Sequence, residues 1–298
     1  MLTATSNFVL VRFDSTGSVD TTFGNGGATT TDFGNNTGIA HGVVLQSDGR
    51  IIAGGEGGNG FALARYLSDG TLDPTFGGGK IITTFGGTMN GQAHAIASDQ
   101  NGRIVAAGVG IDTSLHFALA RYNPTDGSLA SFGMGGTVLS SVAGNGLGIA
   151  LYQDGKILVA GGTSNTVNDI ATRMLVARFN VNGSLDFSFG SAGVHQAVPP
   201  AIATSALLQA DGNIVVAGNT IYDMGATRFA VARLQPDGTP DGTFGTNSGA
   251  LTGFVEVDLG GMSGVALAVA AEPDGRIIAG GGSLINPQGG VVLVRIWP

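Results

Sequence analysis

His41 and His94 each stand eight residues before the glycine of a turn, Gly49 and Gly102, in equivalent places of a repeating unit. Two imidazoles so placed could bind a divalent metal ion; packing and hydrogen bonding at a position that takes varied residues is the competing explanation. A catalytic zinc site usually has three protein ligands. No third ligand type occurs at this register, where the other units carry Leu147, Thr204 and Leu267. The other two histidines, His116 and His195, are isolated in sequence. A second constellation pairs each arginine of a recurring strand with an acid eight residues on: Arg12 with Asp20, Arg65 with Asp73, Arg178 with Asp186 and Arg233 with Asp241. In one unit an extra turn residue shifts the frame and Ala130 replaces the acid. Each arginine shares a strand face with phenylalanine and leucine, so it should be buried. A buried guanidinium needs a carboxylate or carbonyls, which predicts a structural ion pair inside each unit.

The third set of polar residues lies in segments whose length varies from unit to unit: 56–60, 109–116, 162–173, 219–228 and 281–290. Function on a rigid scaffold concentrates in such loops. A ligand is therefore expected to meet Asp112, His116, Asp169, Arg173, Tyr222, Asp223, Arg228 or Asn286, with His41 and His94 at the centre. Loop drift without function is the competing explanation. Known catalytic signatures are missing: there is no GxSxG, no HExxH and no phosphate loop. The Asp and Asn residues beside glycines lack calcium-loop spacing and read as turn formers.

The elements that must hold these residues come from one repeat. FALARYLSDGTLDPTF at 61–76 recurs from Phe8, Phe117, Met174 and Phe229, and a shortened copy begins at Val291. The arginine stands eleven residues before a phenylalanine each time: Arg12 and Phe23, Arg65 and Phe76, Arg121 and Phe132, Arg178 and Phe189, Arg233 and Phe244. Before each FALAR strand comes a hairpin with Asp-Gly or Asn-Gly at its turn, a strong hairpin signal. Its second strand ends in Ala-Gly, at Ala53-Gly54, Ala107-Gly108, Ala160-Gly161, Ala217-Gly218 and Ala279-Gly280, where glycine suits a bulge or a close backbone approach. The FALAR strand is apolar on both faces, as a strand between two layers is. A turn then leads to a fourth strand such as KIITTF.

No segment carries a helical period over ten residues, so the chain is all-β. Four antiparallel strands in about 55 residues, repeated, have the size of a propeller blade; a β-solenoid ranks second. The expected fold is a single five-bladed β-propeller over 1–298. Its repeats lie near 40–86, 93–141, 146–198 and 203–259, and the last blade is assembled from 266–298 plus 1–33. N- and C-terminal strands would close the ring, leaving over either Phe8–Phe13 or Val291–Ile296.

The pattern FALARYxxDGxLDxxFGxGG followed by AxAxxxQxDGRIxxAG, as at 61–79 and 92–108, resembles the delta-60 repeat family, and the blade plan is similar to the kelch type. The resemblance implies a bacterial, often surface-exposed or secreted protein, and no particular activity. The irregular VHQAVPP at 194–200 departs from the pattern.

Composition narrows the partners. The net charge of −8 argues against a nucleic-acid backbone. The absence of cysteine excludes disulfides and thiolate chemistry. No apolar run approaches a membrane span, and the start, MLTATSNFVLVRF, has no basic region followed by a long apolar run. The expected role is a non-enzymatic binding or display module for a protein or glycan, with no cofactor. The alternative is a metal-assisted hydrolase or lyase with a divalent ion at the channel mouth near His41 and His94.

Overall fold

The computed structural model describes residues 7–34, 38–85, 90–163, 172–222, 226–245, 252–260, 262–283 and 290–297, without the side chains of 198–200. Among these residues every regular element is a strand, apart from a 3-10 turn at Gly77–Gly79. Strands β1 (Phe8–Val11) and β2 (Ala28–Thr31) pair as a half-blade. A complete blade follows, β3 (Ile39–Leu45), β4 (Ile51–Gly57), β5 (Gly60–Tyr66) and β6 (Lys80–Thr83), paired in chain order. The next is β7 (Asn90–Ser98), β8 (Ile104–Ile111), β9 (Leu115–Tyr122) and β10 (Thr137–Ala143).

Beyond these come β11 (Asn145–Leu151), β12 (Ile157–Gly162), β13 (Arg173–Phe179), β14 (Val194–Leu208), β15 (Ile214–Ile221), β16 (Thr227–Leu234) and β17 (Phe254–Val257). They form one seven-stranded sheet because β14 runs unbroken through the irregular VHQAVPP, pairing β13 with its first half and β15 with its second. The sequence reading separated two strands there; the backbone keeps one. The last sheet is β18 (Gly264–Ala271), β19 (Ile277–Ser283) and β20 (Gly290–Ile296). Of the two candidate third strands at the chain ends, Phe8–Val11 lies beside Ala28–Thr31, and Gly290–Ile296 lies on β19.

The chain packs as two compact units, Met1–Ser140 and Ser141–Pro298. Within each, blades stack through apolar faces. Ile52, Phe61, Leu63 and Phe76 join Ala106, Ala118 and Ala120 in the first unit; Leu158, Val176 and Phe189 join Val216, Ala230 and Ala232 in the second. Every residue of β5 is buried, as a strand with neighbours on both faces must be. Small alanines let the sheets approach.

One glycine per hairpin is obligatory. The first strand of each hairpin carries a β-bulge: the register shifts between Ala40 and Gly42, Ala93 and Ala95, Gly146 and Gly148, Ala203 and Ser205, and Ala266 and Ala268. Opposite it stand Gly55, Gly108, Gly161, Gly218 and Gly281, where a Cβ would lie 1.8–2.0 Å from the carbonyl oxygen of Ile39, Gln92, Asn145, Ile202 or Val265. The expected glycines Gly54 and Gly280 are thus one residue early; the constrained positions are Gly55 and Gly281.

The recurring arginine explains the eleven-residue spacing. Arg65 is fully buried, its Nε 2.9 Å from Asp73 Oδ2, and its guanidinium lies 4.5 Å from the centre of the Phe76 ring. Its other nitrogens donate to Thr75 Oγ1 at 2.8 Å, to Thr125 O at 2.7 Å and to Pro124 O, the last two in the next repeat. The same node recurs at Arg12 with Asp20, Phe23 and Ser68 O, and at Arg178 with Asp186, Phe189 and Pro236 O. Arg233 pairs with Asp241 at 2.6 Å and stacks on Phe244. Each aspartate also accepts from the hydroxyl two residues on, as Asp73 does from Thr75 and Asp186 from Ser188. A second cation reaches some of them: Arg50 lies 3.1 Å from Asp73 and Lys156 lies 2.9 Å from Asp186.

Where Ala130 removes the acid, Arg121 still stacks on Phe132 and donates to Ser131 O. Burial and the charge of Arg103 lower its pKa, while Asp99 acts in the opposite sense. Asp99 comes from the hairpin turn, 2.7 Å from Arg103. Glu272 holds the same turn position in the last repeat and pairs with Arg295 at 3.3 Å. Asp99 thus places a negative charge near enough to act on Arg121, and Glu272 pairs with Arg295 directly.

Two measurements check this node. Asp73→Ala leaves a buried guanidinium unpaired and is expected to cost about 3–5 kcal/mol in urea unfolding. Asp20→Ala, in the more exposed half-blade, is expected to cost far less, because solvent screens an exposed pair; equal losses would contradict the burial argument. Burial alone would raise the carboxyl pKa values of Asp73, Asp186 and Asp241. Hydrogen bonds from Thr75, Ser188 and Thr243 and the arginine charges outweigh it and hold all three below the ordinary 3.8. The stabilisation is complete above that value and is lost as pH falls below it through the lower folded-state values. Acid unfolding monitored by circular dichroism should shift to higher pH in Asp73→Ala.

Candidate functional site

The residue that each β-bulge adds is His41, His94, Leu147, Thr204 or Leu267. A bulge re-aims one side chain out of the strand's alternation, so this position is a built-in address repeated in every hairpin. In the first unit it brings His41 and His94 together with ring centroids 5.2 Å apart. Glu56, at the end of β4 opposite Ile39, lies 3.9 Å from His41 Nε2. Burial, and then the charge of His41, lower the His94 pKa to about 4. His94 is therefore neutral at physiological pH, with its Nε2 buried and without a hydrogen-bond partner among the described residues. The described residues contain no group of three His, Cys, Asp or Glu placed to hold a metal ion. The expected metal ligands His41 and His94 thus bring together two imidazoles, with one carboxylate 3.9 Å from His41. In the second unit the matching Thr204 donates to Ala217 O at 3.1 Å and Ala266 O at 2.6 Å, a purely structural use.

Two of the variable loops, at 56–60 and 109–116, are shorter than the sequence suggested, because the strands continue into them. Between β4 and β5 only Gly58 and Asn59 remain, with φ of 57° and 65°, a two-residue hairpin turn. Between β8 and β9 only 112–114 remain. There Asp112 Oδ1 accepts from Ser114 N at 2.9 Å and lies 3.2 Å from His116 Nε2, while Ser114 Oγ lies 2.9 Å from the same nitrogen. A Ser-His-Asp relay needs the acid and the hydroxyl on opposite ring nitrogens. Both contacts fall on Nε2, so the trio fixes the turn and leaves no activated serine. The hydrogen bond from Ser114 N, followed by the His116 charge, outweighs burial and lowers the Asp112 pKa.

A denser group forms in the second unit. Tyr222, at the end of β15, is 37% exposed, and its hydroxyl lies 2.5 Å from Glu256 Oε2 on β17. Arg228 on β16 covers the Tyr222 ring at 4.9 Å and reaches Glu256 and Asp258 at 3.8 and 3.9 Å. Burial, then the hydrogen bond to Glu256, raises the Tyr222 pKa. Sequence reasoning named Tyr222 and Arg228 and missed Glu256, on the adjacent fourth strand, and Asp258, just past its end. Arg173 begins β13, its backbone N–H bonded to Thr163 Oγ1 at 2.9 Å. Asp169, Asp223 and Asn286 lie outside the described residues. His195 is half-buried in β14, and burial lowers its pKa.

The opposite ends of the sheets are uniform. Asp48, Asp69, Asp126, Asp211 and Asp237 each accept the backbone N–H two residues on, closing the same turn repeatedly.

All-antiparallel blades, stacked through alanine-rich faces and repeated at fixed spacing, define a β-propeller repeat protein. The family model described as "Domain of unknown function (DUF5122) beta-propeller" matches residues 3–23, 46–76, 100–129, 153–189, 209–244 and 272–298, more than half of the chain, and the chain belongs to that family. No curated protein matches it. Among solved structures it is similar to a gluconolactonase from Xanthomonas campestris, at 12% identity and TM-score 0.45, covering 85% of this chain and 72% of that one. It is also similar to a catalytically inactive virginiamycin B lyase from Staphylococcus aureus, at 14% identity and TM-score 0.41, covering 99% and 85%. Semaphorin 1b of Drosophila, extracellular domains 1-2, is a third, at 9% identity and TM-score 0.42, covering 85% and 51%. Among the described residues no helix is long and apolar enough to cross a membrane.

The His pair carries its own test. The folded-state pKa of His94 lies below the ordinary 6.5, so the unfolded chain takes up the proton first as pH falls. Stability contributed by this site is complete above 6.5 and is lost between 6.5 and about 4. Thermal melts across that range should show a falling Tm in the native protein and a flatter profile in His94→Gln. Parallel profiles would remove the coupling.

Proposed function

We propose that the chain is a non-enzymatic binding module whose ligand meets the variable-loop ends of its blades. The carrying observation is the asymmetry between the two ends of the sheets. One end repeats a single turn whose polar groups bond internally. The other gathers Tyr222, Arg228, Glu256 and Asp258 in a solvent-accessible patch, a combination of aromatic ring, cation and carboxylates that hydrogen-bonds and stacks on polar ligands. Of the ligands expected from the sequence, a glycan fits this set better than a protein, because its hydroxyls use closely spaced donors and acceptors. The alternative, a metal-assisted hydrolase or lyase near His41 and His94, has less support, because beside the two imidazoles the described residues bring only Glu56, at 3.9 Å from His41. The hairpin count supports five blades, the last drawing strands from both ends of the chain. The repeat resemblance supports display at a bacterial surface or outside the cell.

Labelled protein on arrayed glycans tests the ligand. Retention on at least one glycan class is expected, reduced about tenfold or more by Tyr222→Ala or Arg228→Ala. Asp126→Asn, at the uniform end, should leave it unchanged. Absence of retention, or retention indifferent to Tyr222 and Arg228, would refute a glycan site on this patch.

A further inference from the structure

Beneath Tyr222 and Arg228 lie buried polar atoms that the fold itself does not use. Within the second unit Met174 and Val176 pack against Ala230 and Ala232 across the gap between two successive blades. A Cβ on Gly162, the cross-strand partner of Met174, would lie 3.2 Å from Thr172 Cγ2, so Thr172 projects into the same gap. Arg228 alternates with Ala230 and Ala232 along β16 and therefore faces that gap from the other side. Thr220 is its cross-strand partner and shares its face. The two sides are joined by backbone: Thr172 O accepts from Ala201 N at 3.2 Å, and Ala201 pairs with Thr220. Thr172 and Thr220 are 0% and 1% exposed, and neither Oγ1 has a hydrogen-bond partner among the described residues.

These hydroxyls adjoin an unused donor and an unused acceptor. Thr220 lies close enough to Tyr222 for its hydroxyl to oppose the rise in the phenol pKa, without closing a hydrogen bond of normal geometry. Glu256 holds the Tyr222 hydroxyl with Oε2 only; its Oε1 is buried and unbonded. Arg228 lies 3.8 and 3.9 Å from Glu256 and Asp258, beyond hydrogen-bond reach, so its terminal nitrogens keep their donors. Charge then selects the ligand. An anionic group would meet Glu256 and Asp258, and a cationic group would meet Arg228. A neutral group that offers an N–H to Glu256 and an oxygen to Arg228 satisfies both. Hydrogen bonds to charged partners are the stronger kind, and a buried charged acceptor left unbonded is the costlier omission. Arg228 and Glu256 stand side by side, so a secondary amide, with its N–H and C=O on separate atoms, matches them better than one hydroxyl.

We propose that this patch selects acetamido sugars. The amide N–H donates to Glu256 Oε1, the amide oxygen accepts from Arg228, and Thr220 and Thr172 take hydroxyls of the same sugar. The inference rests on the glycan reading of the patch and narrows it to one chemical class.

The probes are the β-1,4-linked tetramers of glucose, glucosamine and N-acetylglucosamine, with galactose and N-acetylgalactosamine as a second configuration, titrated by calorimetry into the full chain. At least one acetamido sugar is expected to bind, with a Kd between about micromolar and millimolar. It should bind at least about tenfold tighter than its parent, which leaves Glu256 or Arg228 unpaired. Glucosamine, charged and without a carbonyl, should fall with the parents. Glu256→Ala should lower the affinity at least about tenfold. Should that variant fail to fold, Thr220→Val provides the second arm. It removes an unbonded hydroxyl, so the Tm should hold or rise while the affinity falls at least about threefold; a purely structural threonine would not separate the two. No binding of either acetamido sugar up to about 10 mM, parents that bind as tightly, or an affinity unchanged in both variants would overturn the proposal. Retention of other glycans on the array would then leave the glycan reading standing, whereas an array without retention would refute both.

Discussion

A guanidinium buried between a phenylalanine ring and an aspartate is the interaction on which the repeat depends. Burying an arginine is costly unless its charge is paired and its donors are used. Arg65 meets both conditions: carboxylate on Nε, hydroxyl and carbonyls on the terminal nitrogens, ring beneath. Two of those carbonyls belong to the next repeat, so the group that completes one blade also ties it to its neighbour. The turn glycines pack against the same site. A Cβ at Gly70, Gly127 or Gly238 would lie 2.7–3.0 Å from the ring of Phe23, Phe76 or Phe189 in the preceding repeat. The spacing of eleven is therefore the length of chain needed to bring the ring under its own arginine. The exposures agree. Arg65 is fully buried between blades, whereas the side chains of Arg12 and Arg295, near the ends of the chain, are 33% and 53% exposed.

This constraint decides where function can reside. Alanine faces, bulge glycines and the arginine node are fixed by packing, and the Asx turns consume their own polar groups. Two kinds of position remain free to vary. One is the added residue of the bulge, which is His, His, Leu, Thr and Leu along the chain. The other is the tip between second and third strands. The bulge position carries polar chemistry in the first unit and turns inward to backbone carbonyls at Thr204 in the second, so the tips are the stronger location for a ligand.

Much of this was legible in the sequence, and what was missed has a common physical origin. Strand order, the hairpins, the absence of helix and the Arg–Asp pairs follow from spacing along one chain segment. The hydroxyl at Thr22, Thr75, Ser131, Ser188 and Thr243, ten residues after each arginine, was equally readable once the pair was suspected. The cation–π stack was written in the eleven-residue period but needs the third dimension to be recognised. Glu256 and Asp258 were missed because adjacency across two strands depends on register, and no periodicity within β17 marks them as neighbours of Tyr222. The continuous β14 was hidden because VPP looks like a break, yet the backbone pairs on through it, Pro200 opposite Arg173 and Ala201 opposite Thr220.

The substitution at Ala130 shows how far the node tolerates change. If the aspartate were required at a fixed place in sequence, its loss would leave Arg121 among apolar neighbours with no compensating charge. Instead a carboxylate is present at Asp99, four residues before Arg103 in the adjoining hairpin turn, where two other repeats have a glutamine. Glu272 serves Arg295 from the equivalent turn. The requirement is therefore electrostatic and spatial: one negative charge close to each buried guanidinium, delivered by whichever neighbouring loop can reach it.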